Sequence, residues 1–199
     1  MSPTLRPAIF MDRDGTLSHE VGYVNHVSRI RLLPRSAAAI RMAREAGFVP
    51  VIVTNQAGVA RGYFEEALVH RVHDRLREML AAEGASVDAI YHCPHHPDAG
   101  EPPYRKDCDC RKPRPGMLLR ARDELRIDLA RSYMVGDSIR DVEAGRRVGA
   151  TTVLVLTGYG RGELEHRSDG WKSRPDHVAE DLEDAVAWIV ARERDGRRP

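Results

Sequence analysis

Short runs of consecutive apolar residues alternate along the chain with longer amphipathic segments. In the first run, Pro7 to Met11, the apolar residues are adjacent rather than alternating, which is typical of a strand covered on both faces. Similar runs predict further strands within residues 48–56, 87–94, 132–138, 151–160 and the start of 175–192. Helical spacing predicts helices over residues 36–47, with Ser36 as N-cap, 64–84, 115–127, 139–150 and the end of 175–192. The alternation predicts an α/β, Rossmann-like fold with a mainly parallel sheet, helices on both faces and right-handed crossovers.

Length and charge limit the domain organisation and the class of partner. A chain of 199 residues, of which 42% are hydrophobic, can bury one good core, so we expect one domain over residues 1–199 with an inserted loop. The formal net charge is +1 with mixed signs, which argues against a nucleic-acid or membrane surface. Only residues 192–199 are locally basic, and we interpret them as a solvated tail. Without an apolar span or a signal-peptide pattern, we expect a cytoplasmic protein.

Two carboxylates directly follow the first predicted strand. Asp12 and Asp14 are separated by one residue, and such a pair repels unless a cation or a proton compensates. Mg²⁺ held by oxygen ligands is the simplest compensation, although Asp14 and Gly15 alone also suit an ordinary turn. Because ligands of open parallel sheets bind outside the carboxyl ends of the strands, the sequence predicts a binding site there.

Three more polar groups lie at the ends of predicted elements. Thr54, Asn55 and Gln56 end the second strand, where their hydroxyl and amide groups can hold phosphate oxygens or simply form a turn. Lys112 precedes a helix and can place a positive charge against a phosphoryl group, whereas a lone lysine there is usually solvated. Asp137 follows a later strand and is, by itself, explained as a helix N-cap.

All three cysteines lie in one loop, at about residues 92–112, together with three histidines. Cytoplasmic thiols stay reduced, and an odd number of them makes no disulfide framework. Zn²⁺ takes about four sulfur or nitrogen ligands in a tetrahedron, which predicts a zinc site here. Free thiols or a redox switch are the alternatives. The expected ligands are Cys93, His95, Cys108 and Cys110, with His92 and His96 as rivals for the fourth position.

The predicted zinc site is structural rather than catalytic. Four protein ligands close the coordination shell, whereas a catalytic zinc usually keeps one position open for water. The segment between the ligand pairs is rich in proline, glycine and charge, so metal ligation would supply the order that its own packing lacks. Since Arg111 and Lys112 directly follow Cys110, we hypothesise that zinc fixes their reach over a substrate.

In chain order, the polar groups are an Asp-x-Asp, a Thr after the second strand, a Lys before a helix and a Gly-Asp after a later strand. They resemble the four motifs of the haloacid dehalogenase superfamily of phosphohydrolases. The resemblance implies that Asp12 attacks phosphorus and forms an aspartyl phosphate, while Asp14 protonates the leaving group and later activates water. It also implies a Mg²⁺ site made by Asp12, the backbone carbonyl of Asp14, and Asp137. Thr54 and Lys112 would steady the phosphoryl oxygens.

Longer segments narrow the resemblance. The D-glycero-D-manno-heptose-1,7-bisphosphate 7-phosphatase family has similar motifs between residues 11 and 145, namely MDRDGTLSHEVGYV, VTNQAGVARGYF, CPHHP, CDCRKPRPGML and YMVGDSIRDVEAG. This resemblance implies the zinc loop, no large cap domain, and a monomer. It also implies a small-molecule sugar bisphosphate as substrate, which loses its 7-phosphate in nucleotide-activated heptose biosynthesis.

The same resemblance implies which residues contact the substrate. The segment from His19 to Val24 corresponds to a lid, and Arg111 to the arginine that recognises the second phosphate of the sugar. Several family members have a lysine where this chain has Ser138, so Lys112 would carry more of the charge balance. The expected substrate-binding residues are His19, Glu20, Gly22, Tyr23, Asn55, Gln56, Arg111 and Ser138.

Two other functions stay open. Histidinol-phosphate phosphatases share the zinc loop, and their substrate carries an amine and an imidazole for which Glu20 is a candidate acidic partner. The segments GYV and RKPRPGM favour the heptose branch. A zinc-knuckle module on an inactive phosphatase scaffold would need basic and aromatic residues clustered around the knuckle to bind nucleic acid. Only Tyr104 supplies an aromatic side chain between the ligand pairs, which disfavours that reading.

Overall fold

Six parallel strands form one sheet, flanked by six helices. A computed structural model describes residues 5–196. The strands are β1 (Ala8–Met11), β2 (Val49–Asn55), β3 (Ala89–Cys93), β4 (Tyr133–Gly136), β5 (Thr151–Val155) and β6 (His177–Ala179). The helices are α1 (Ser36–Glu45), α2 (Glu66–Ala82), α3 (Gly116–Leu125), α4 (Ile139–Arg146), α5 (Gly160–Arg167) and α6 (Leu182–Arg194). The predicted α/β fold is confirmed.

The strand order β3-β2-β1-β4-β5-β6 places β1 at the centre of the sheet, paired with β2 on one side and β4 on the other. The chain leaves β1 toward β2 and leaves β4 toward β5, so the two connections diverge. A crevice therefore opens beyond the carboxyl ends of these central strands, which is where ligands bind in such sheets. The predicted polar groups after β1, β2 and β4 all lie at this edge.

Both faces of the sheet are covered, as the consecutive apolar residues of β1 predict. Ile9 and Met11 belong to one buried cluster, which includes residues of α1, α2 and α6. Ala8 and Phe10 belong to a second buried cluster, which includes residues of α3. Adjacent strand residues point to opposite faces, so a strand between two helical layers needs apolar side chains at every position.

Three local expectations were wrong. Arg35, not Ser36, is the N-cap of α1, and the Ser36 hydroxyl instead donates to the Leu17 carbonyl at 2.9 Å. Helix α5 was not predicted, and the predicted strand over 151–160 ends at Val155. Residues 192–194 of the expected tail continue α6, while 197–199 lie outside the described residues. Within residues 5–196, no helix combines the length and apolar character needed to cross a membrane.

Candidate active site

The turn after β1 brings Asp12 and Asp14 against a third carboxylate, Asp137. Gly15 has a φ of +79°, and a Cβ on it would lie 2.0 Å from Oδ2 of Asp137. Gly158 approaches the same oxygen, since its Cβ would lie 2.1 Å away. Both positions therefore require glycine, and Asp137 closes against the Asp12–Asp14 turn because no side chain stands between them.

Lys112 is buried with its ammonium group between two carboxylates. Its Nζ lies 3.0 Å from Oδ1 of Asp12 and 2.6 Å from Oδ1 of Asp141, and it donates to the Val53 carbonyl at 2.8 Å. Burial alone would lower the pKa of Lys112, but the negative charges of Asp12 and Asp141 outweigh it and raise that pKa. Lys112 is therefore a fixed, charged group rather than the solvated lysine that a lone Lys suggests.

Asp141 is a member of this site that sequence reasoning missed. One of its carboxylate oxygens pairs with Lys112, while the other accepts the backbone N–H of Ser138 at 3.1 Å and completes the capping box of α4. Ser138, not Asp137, is thus the N-cap of this helix. The signal in the sequence was the Ser-x-x-Asp spacing, which predicts a capping box but not a contact with Lys112.

The site carries an excess of negative charge. Asp12, Asp14, Asp137 and Asp141 face only two buried cations, Lys112 and Arg13. Burial, together with Asp141 and Asp14, raises the pKa of Asp12 to about 6 despite Lys112. Burial and the neighbouring Asp12 and Asp141 raise the pKa of Asp137 to about 8.

Oxygen atoms of Asp12, Asp137 and Asp141 lie within 4.8 Å of one another. An oxygen-only donor set with this charge fits a hard divalent cation such as Mg²⁺. The Asp14 side chain does not belong to this set of three, which includes Asp141 instead. The expected Mg²⁺ ligands, namely Asp12, the backbone carbonyl of Asp14, and Asp137, stay a prediction.

A chain of side chains fixes the Asp14 carboxylate. The buried Arg13 donates to both of its oxygens, at 3.0 and 2.6 Å, and Gln56 donates to one of them at 2.9 Å. Arg13 in turn lies 3.2 Å from Nε2 of His73. Burial and Arg13 lower the pKa of His73 to about 2, so the neutral ring accepts this hydrogen bond. Neither Arg13 nor His73 was expected to belong to the site.

The polar groups after β2 mostly orient other residues. Gln56 also donates to the Thr54 hydroxyl at 2.9 Å, which leaves the Thr54 proton free to donate. The Asn55 side chain binds the backbone of Lys112 in both directions, accepting its N–H and donating to its carbonyl, each at 3.0 Å. Asn55 was predicted as a substrate-binding residue, and in this structure it holds Lys112 in place.

The aspartates open into a cavity of about 240 Å³. His19 lies outside it, in a separate surface depression beside Ser28 and Arg29, and Val24 is buried in the core. Arg140 and Tyr159 also line the cavity, although sequence reasoning assigned them no role. The predicted substrate-binding residues that do line it are Glu20, Gly22, Tyr23, Asn55, Gln56, Arg111 and Ser138.

Two of the residues that line this cavity, Arg111 and Arg140, are arginines. Arg111 donates to the His95 carbonyl at 3.2 Å, and Arg140 lies 3.4 Å from the Ser138 hydroxyl. Within the described residues, neither guanidinium forms a salt bridge. Burial and Arg140 lower the pKa of Arg111, although it stays a cation at any physiological pH. Two guanidinium groups without carboxylate partners in the cavity that holds the aspartates suit a second anionic group of a ligand.

The cysteine loop brings four metal-binding atoms together. The three sulfurs are separated by 3.1 to 3.5 Å, and Nδ1 of His95 lies 3.4 Å from the sulfur of Cys110 and 3.8 Å from that of Cys93. Ligands bound tetrahedrally at about 2.3 Å would be roughly 3.8 Å apart, so a zinc ion fits with a small expansion. Hydrogen bonding with the Cys93 sulfur, together with that of Cys108, outweighs burial and lowers the pKa of Cys110 to about 5.

The rival ligands are engaged elsewhere. Nε2 of His92 pairs with Glu66 at 2.8 Å, and Nε2 of His96 lies 3.1 Å from Arg61. Arg111 follows Cys110 and contacts the backbone of His95, so the four-residue cluster is directly connected to a residue that lines the cavity. This arrangement supports His95 as the fourth ligand.

Known proteins resemble this chain over most of its length. A HAD-hydrolase-like family model matches residues 109–185. The D-glycero-D-manno-heptose-1,7-bisphosphate 7-phosphatase of Thermosynechococcus vestitus is 44% identical, over 92% of this chain and 95% of that protein. The D-glycero-beta-D-manno-heptose-1,7-bisphosphate 7-phosphatase of Escherichia coli K12 is 47% identical, over 76% of this chain and 80% of that protein.

Among solved structures, a D,D-heptose 1,7-bisphosphate phosphatase from B. bronchiseptica, complexed with magnesium and phosphate, superimposes with a TM-score of 0.82. It is 36% identical, over 93% of this chain and 98% of that one. The chain therefore belongs to the D-glycero-D-manno-heptose-1,7-bisphosphate 7-phosphatase family, with a haloacid dehalogenase-like fold.

Proposed function

We propose that this protein is a Mg²⁺-dependent phosphatase that removes the 7-phosphate of D-glycero-D-manno-heptose 1,7-bisphosphate. The observation that carries the proposal is the pairing of two sites in one cavity. Asp12, held by Lys112, lines this cavity, and so do Arg111 and Arg140, which form no salt bridge within the described residues. A sugar with two phosphates would place one at Asp12 and the other at the two arginines.

Asp12 is the nucleophile of the proposed reaction. An oxygen of its carboxylate forms a bond to phosphorus, the bond from phosphorus to the sugar oxygen breaks, and Asp14 gives its proton to that oxygen. In the second step water attacks phosphorus, its proton passes to Asp14, and the bond to Asp12 breaks to release phosphate. The contacts of Asp14 with Arg13 and Gln56 hold it on the leaving-group side throughout.

Lys112 and Thr54 stabilise the charge that develops on the phosphoryl oxygens. Lys112 is already desolvated and charged, so its surroundings need not reorganise when the phosphoryl group binds. The Thr54 hydroxyl keeps a free proton to donate because its oxygen already accepts from Gln56. Mg²⁺, held by Asp12, Asp137 and the Asp14 carbonyl with Asp141 close by, would neutralise the repulsion between a phosphate and these carboxylates.

The Cys93, His95, Cys108 and Cys110 cluster has a structural role in this proposal. Four protein ligands leave no open position for water or substrate, and the phosphoryl chemistry is already supplied by the aspartates. Zinc would fix the loop that carries Arg111 and Lys112 to the cavity.

Turnover on a panel of phosphorylated compounds tests the proposal. With saturating Mg²⁺ and measured zinc content, we expect the highest kcat/KM for the heptose 1,7-bisphosphate. The panel includes heptose 7-phosphate, which lacks the second anionic group, and histidinol phosphate, for whose amine Glu20 in the cavity lining is a candidate acidic partner. A preference for histidinol phosphate would overturn the substrate assignment, and no hydrolysis of any ester would overturn the reaction class.

A further inference from the structure

A second group of metal-binding side chains lies apart from both sites described above. It consists of Glu66 and His70, four residues apart on α2, and His92 on β3. One ligand atom from each lies within 4.8 Å of the other two. Residues i and i+4 of a helix share a face, so the helix presents a carboxylate and an imidazole together toward the strand.

Hydrogen bonds hold Glu66 and His92 in place, but His70 has no such contact. Glu66 accepts from Nε2 of His92 at 2.8 Å and from the Tyr104 hydroxyl at 2.9 Å, so its carboxylate is fixed. His70 meets the His92 ring edge-on, with centroids 5.2 Å apart. Among the described residues it takes part in no salt bridge or side-chain hydrogen bond. An exposed imidazole is thus held beside a fixed carboxylate and a second imidazole without a partner of its own.

The group also has access to solvent and room for water. Glu66, His70 and His92 line an open surface cavity of about 850 Å³, together with His73, Asp74 and Tyr104. His92 and Cys93 are adjacent in β3 and therefore point to opposite faces of the sheet. A metal bound by His92 would consequently be distinct from one bound by the cysteine cluster.

We propose that Glu66, His70 and His92 form a second metal site, which binds a divalent transition metal such as Zn²⁺, Co²⁺ or Ni²⁺. Two imidazole nitrogens and one carboxylate oxygen suit these ions and leave positions for water. Tetrahedral bonds of about 2.1 Å would place the ligand atoms roughly 3.4 Å apart. The metal would replace the 2.8 Å hydrogen bond between His92 and Glu66 and draw in the His70 ring, while the hydrogen bond from Tyr104 keeps the other Glu66 oxygen in place. The bound ion would link α2 to β3 and, through Tyr104, to the cysteine loop.

Co²⁺ titration tests this proposal without measuring catalysis. The protein is first loaded with one equivalent of zinc for the cysteine cluster and kept in saturating Mg²⁺ for the aspartate cavity. We expect one further equivalent of Co²⁺ to bind, with the weak visible bands of nitrogen and oxygen ligation and without thiolate charge-transfer bands. In His70→Ala we expect this binding to weaken at least about tenfold, because one of three protein ligands is lost.

His166→Ala is the matched control, since it removes an exposed histidine from α5, outside the group. It should bind Co²⁺ as the unaltered protein does. Co²⁺ should also raise the Tm of the unaltered protein and of His166→Ala, but not that of His70→Ala. Equal Co²⁺ binding by His70→Ala and the unaltered protein, or no extra equivalent in either, would overturn the proposal. Intense thiolate bands would mean exchange into the cysteine cluster and would equally count against it.

Discussion

The Lys112 ammonium group lies between Asp12 and Asp141, and its position decides the charge on the proposed nucleophile. With both carboxylates present, Lys112 is shared, at 3.0 Å from Asp12 and 2.6 Å from Asp141. The contact with Asp141 is the shorter one. Lys112 therefore neutralises less of the Asp12 charge than it would if it paired with Asp12 alone. Asp141 can therefore control the reactivity of Asp12 through the Lys112 that they share.

Asp141→Asn should lower kcat by on the order of 10²-fold with little change in KM at saturating Mg²⁺. Asparagine still accepts the Ser138 N–H and caps α4, but it no longer holds a share of the Lys112 charge, so Lys112 pairs with Asp12 alone. Steady-state kinetics measures the effect. Glu143→Gln on the same helix is the control, and a kcat for Asp141→Asn within about twofold of the control would contradict the argument.

Arg140→Ala should raise KM for the heptose bisphosphate by about tenfold, equivalent to roughly 1.4 kcal/mol, and leave kcat unchanged. Arg140 lines the cavity without a carboxylate partner. Because it would bind the phosphate that does not react, it would stabilise substrate and transition state equally. The KM for heptose 7-phosphate should not change, because that compound lacks the second phosphate. Arg147→Ala, at the C-cap of α4, is the control. Equal losses on both substrates would show that Arg140 does not meet the second phosphate.

At the scale of elements, how well the sequence predicted each one depended on how much of it is buried. All residues of β1 are buried, and its unbroken apolar run predicted it correctly. Helix α5 was missed because its sequence, GRGELEHR, has a single large apolar residue, Leu164, and hence no apolar stripe. Its buried Glu163 accepts from Arg167 at 3.0 Å, a pairing that a hydrophobic pattern does not reveal.

The residues of the candidate active site could be predicted only in part. Motif spacing brought out Asp12, Asp14, Lys112 and Asp137, because each directly follows or precedes a strand or helix. Asp141 and Arg13 escaped it because their roles depend on which side chain, 29 or 60 residues away in the chain, lies against them.

Removing zinc should disorder the cysteine loop and reduce both substrate binding and catalysis in the aspartate cavity. Arg111 and Lys112 directly follow Cys110, and Arg111 contacts the backbone of the ligand His95. After treatment with a zinc chelator and restoration of Mg²⁺, we expect KM to rise through Arg111 and kcat to fall through Lys112. Hydrogen exchange across residues 92–112 should accelerate in parallel. Kinetics that stay intact in zinc-free protein would refute the link between the metal and the two basic residues.

At the scale of the whole molecule, the strand order is what assembles the site. The residues after β1, β2 and β4 are up to 125 positions apart, and they meet because these strands are neighbours at the centre of the sheet. The alternation of strand and helix predicts parallel strands but not which strand lies next to which. The order became evident only from the pairing of β1 with both β2 and β4.

The neutral, buried His73 should make global stability depend on pH. Its pKa is lowered from 6.5 to about 2 in the folded protein, chiefly by burial and by Arg13. The unfolded chain therefore takes up a proton as the pH falls through 6.5, and the folded protein does not. The sign follows: the contribution of His73 to stability is complete above pH 6.5 and is lost progressively as the pH falls toward 2, by about 1.4 kcal/mol per pH unit.

His73→Gln isolates this effect, because glutamine can still accept from Arg13 but does not titrate. Between pH 6.5 and roughly pH 4.5, we expect the free energy of unfolding of the unaltered protein to fall by about 2 to 3 kcal/mol relative to the variant. Urea unfolding at a series of pH values measures the difference, from which the titrating carboxylates common to both proteins cancel. His166→Gln, at an exposed position, should follow the unaltered protein. A difference between His73→Gln and the unaltered protein that stays constant with pH would mean that His73 takes up a proton in the folded state, and that the Arg13–His73 hydrogen bond does not hold Asp14.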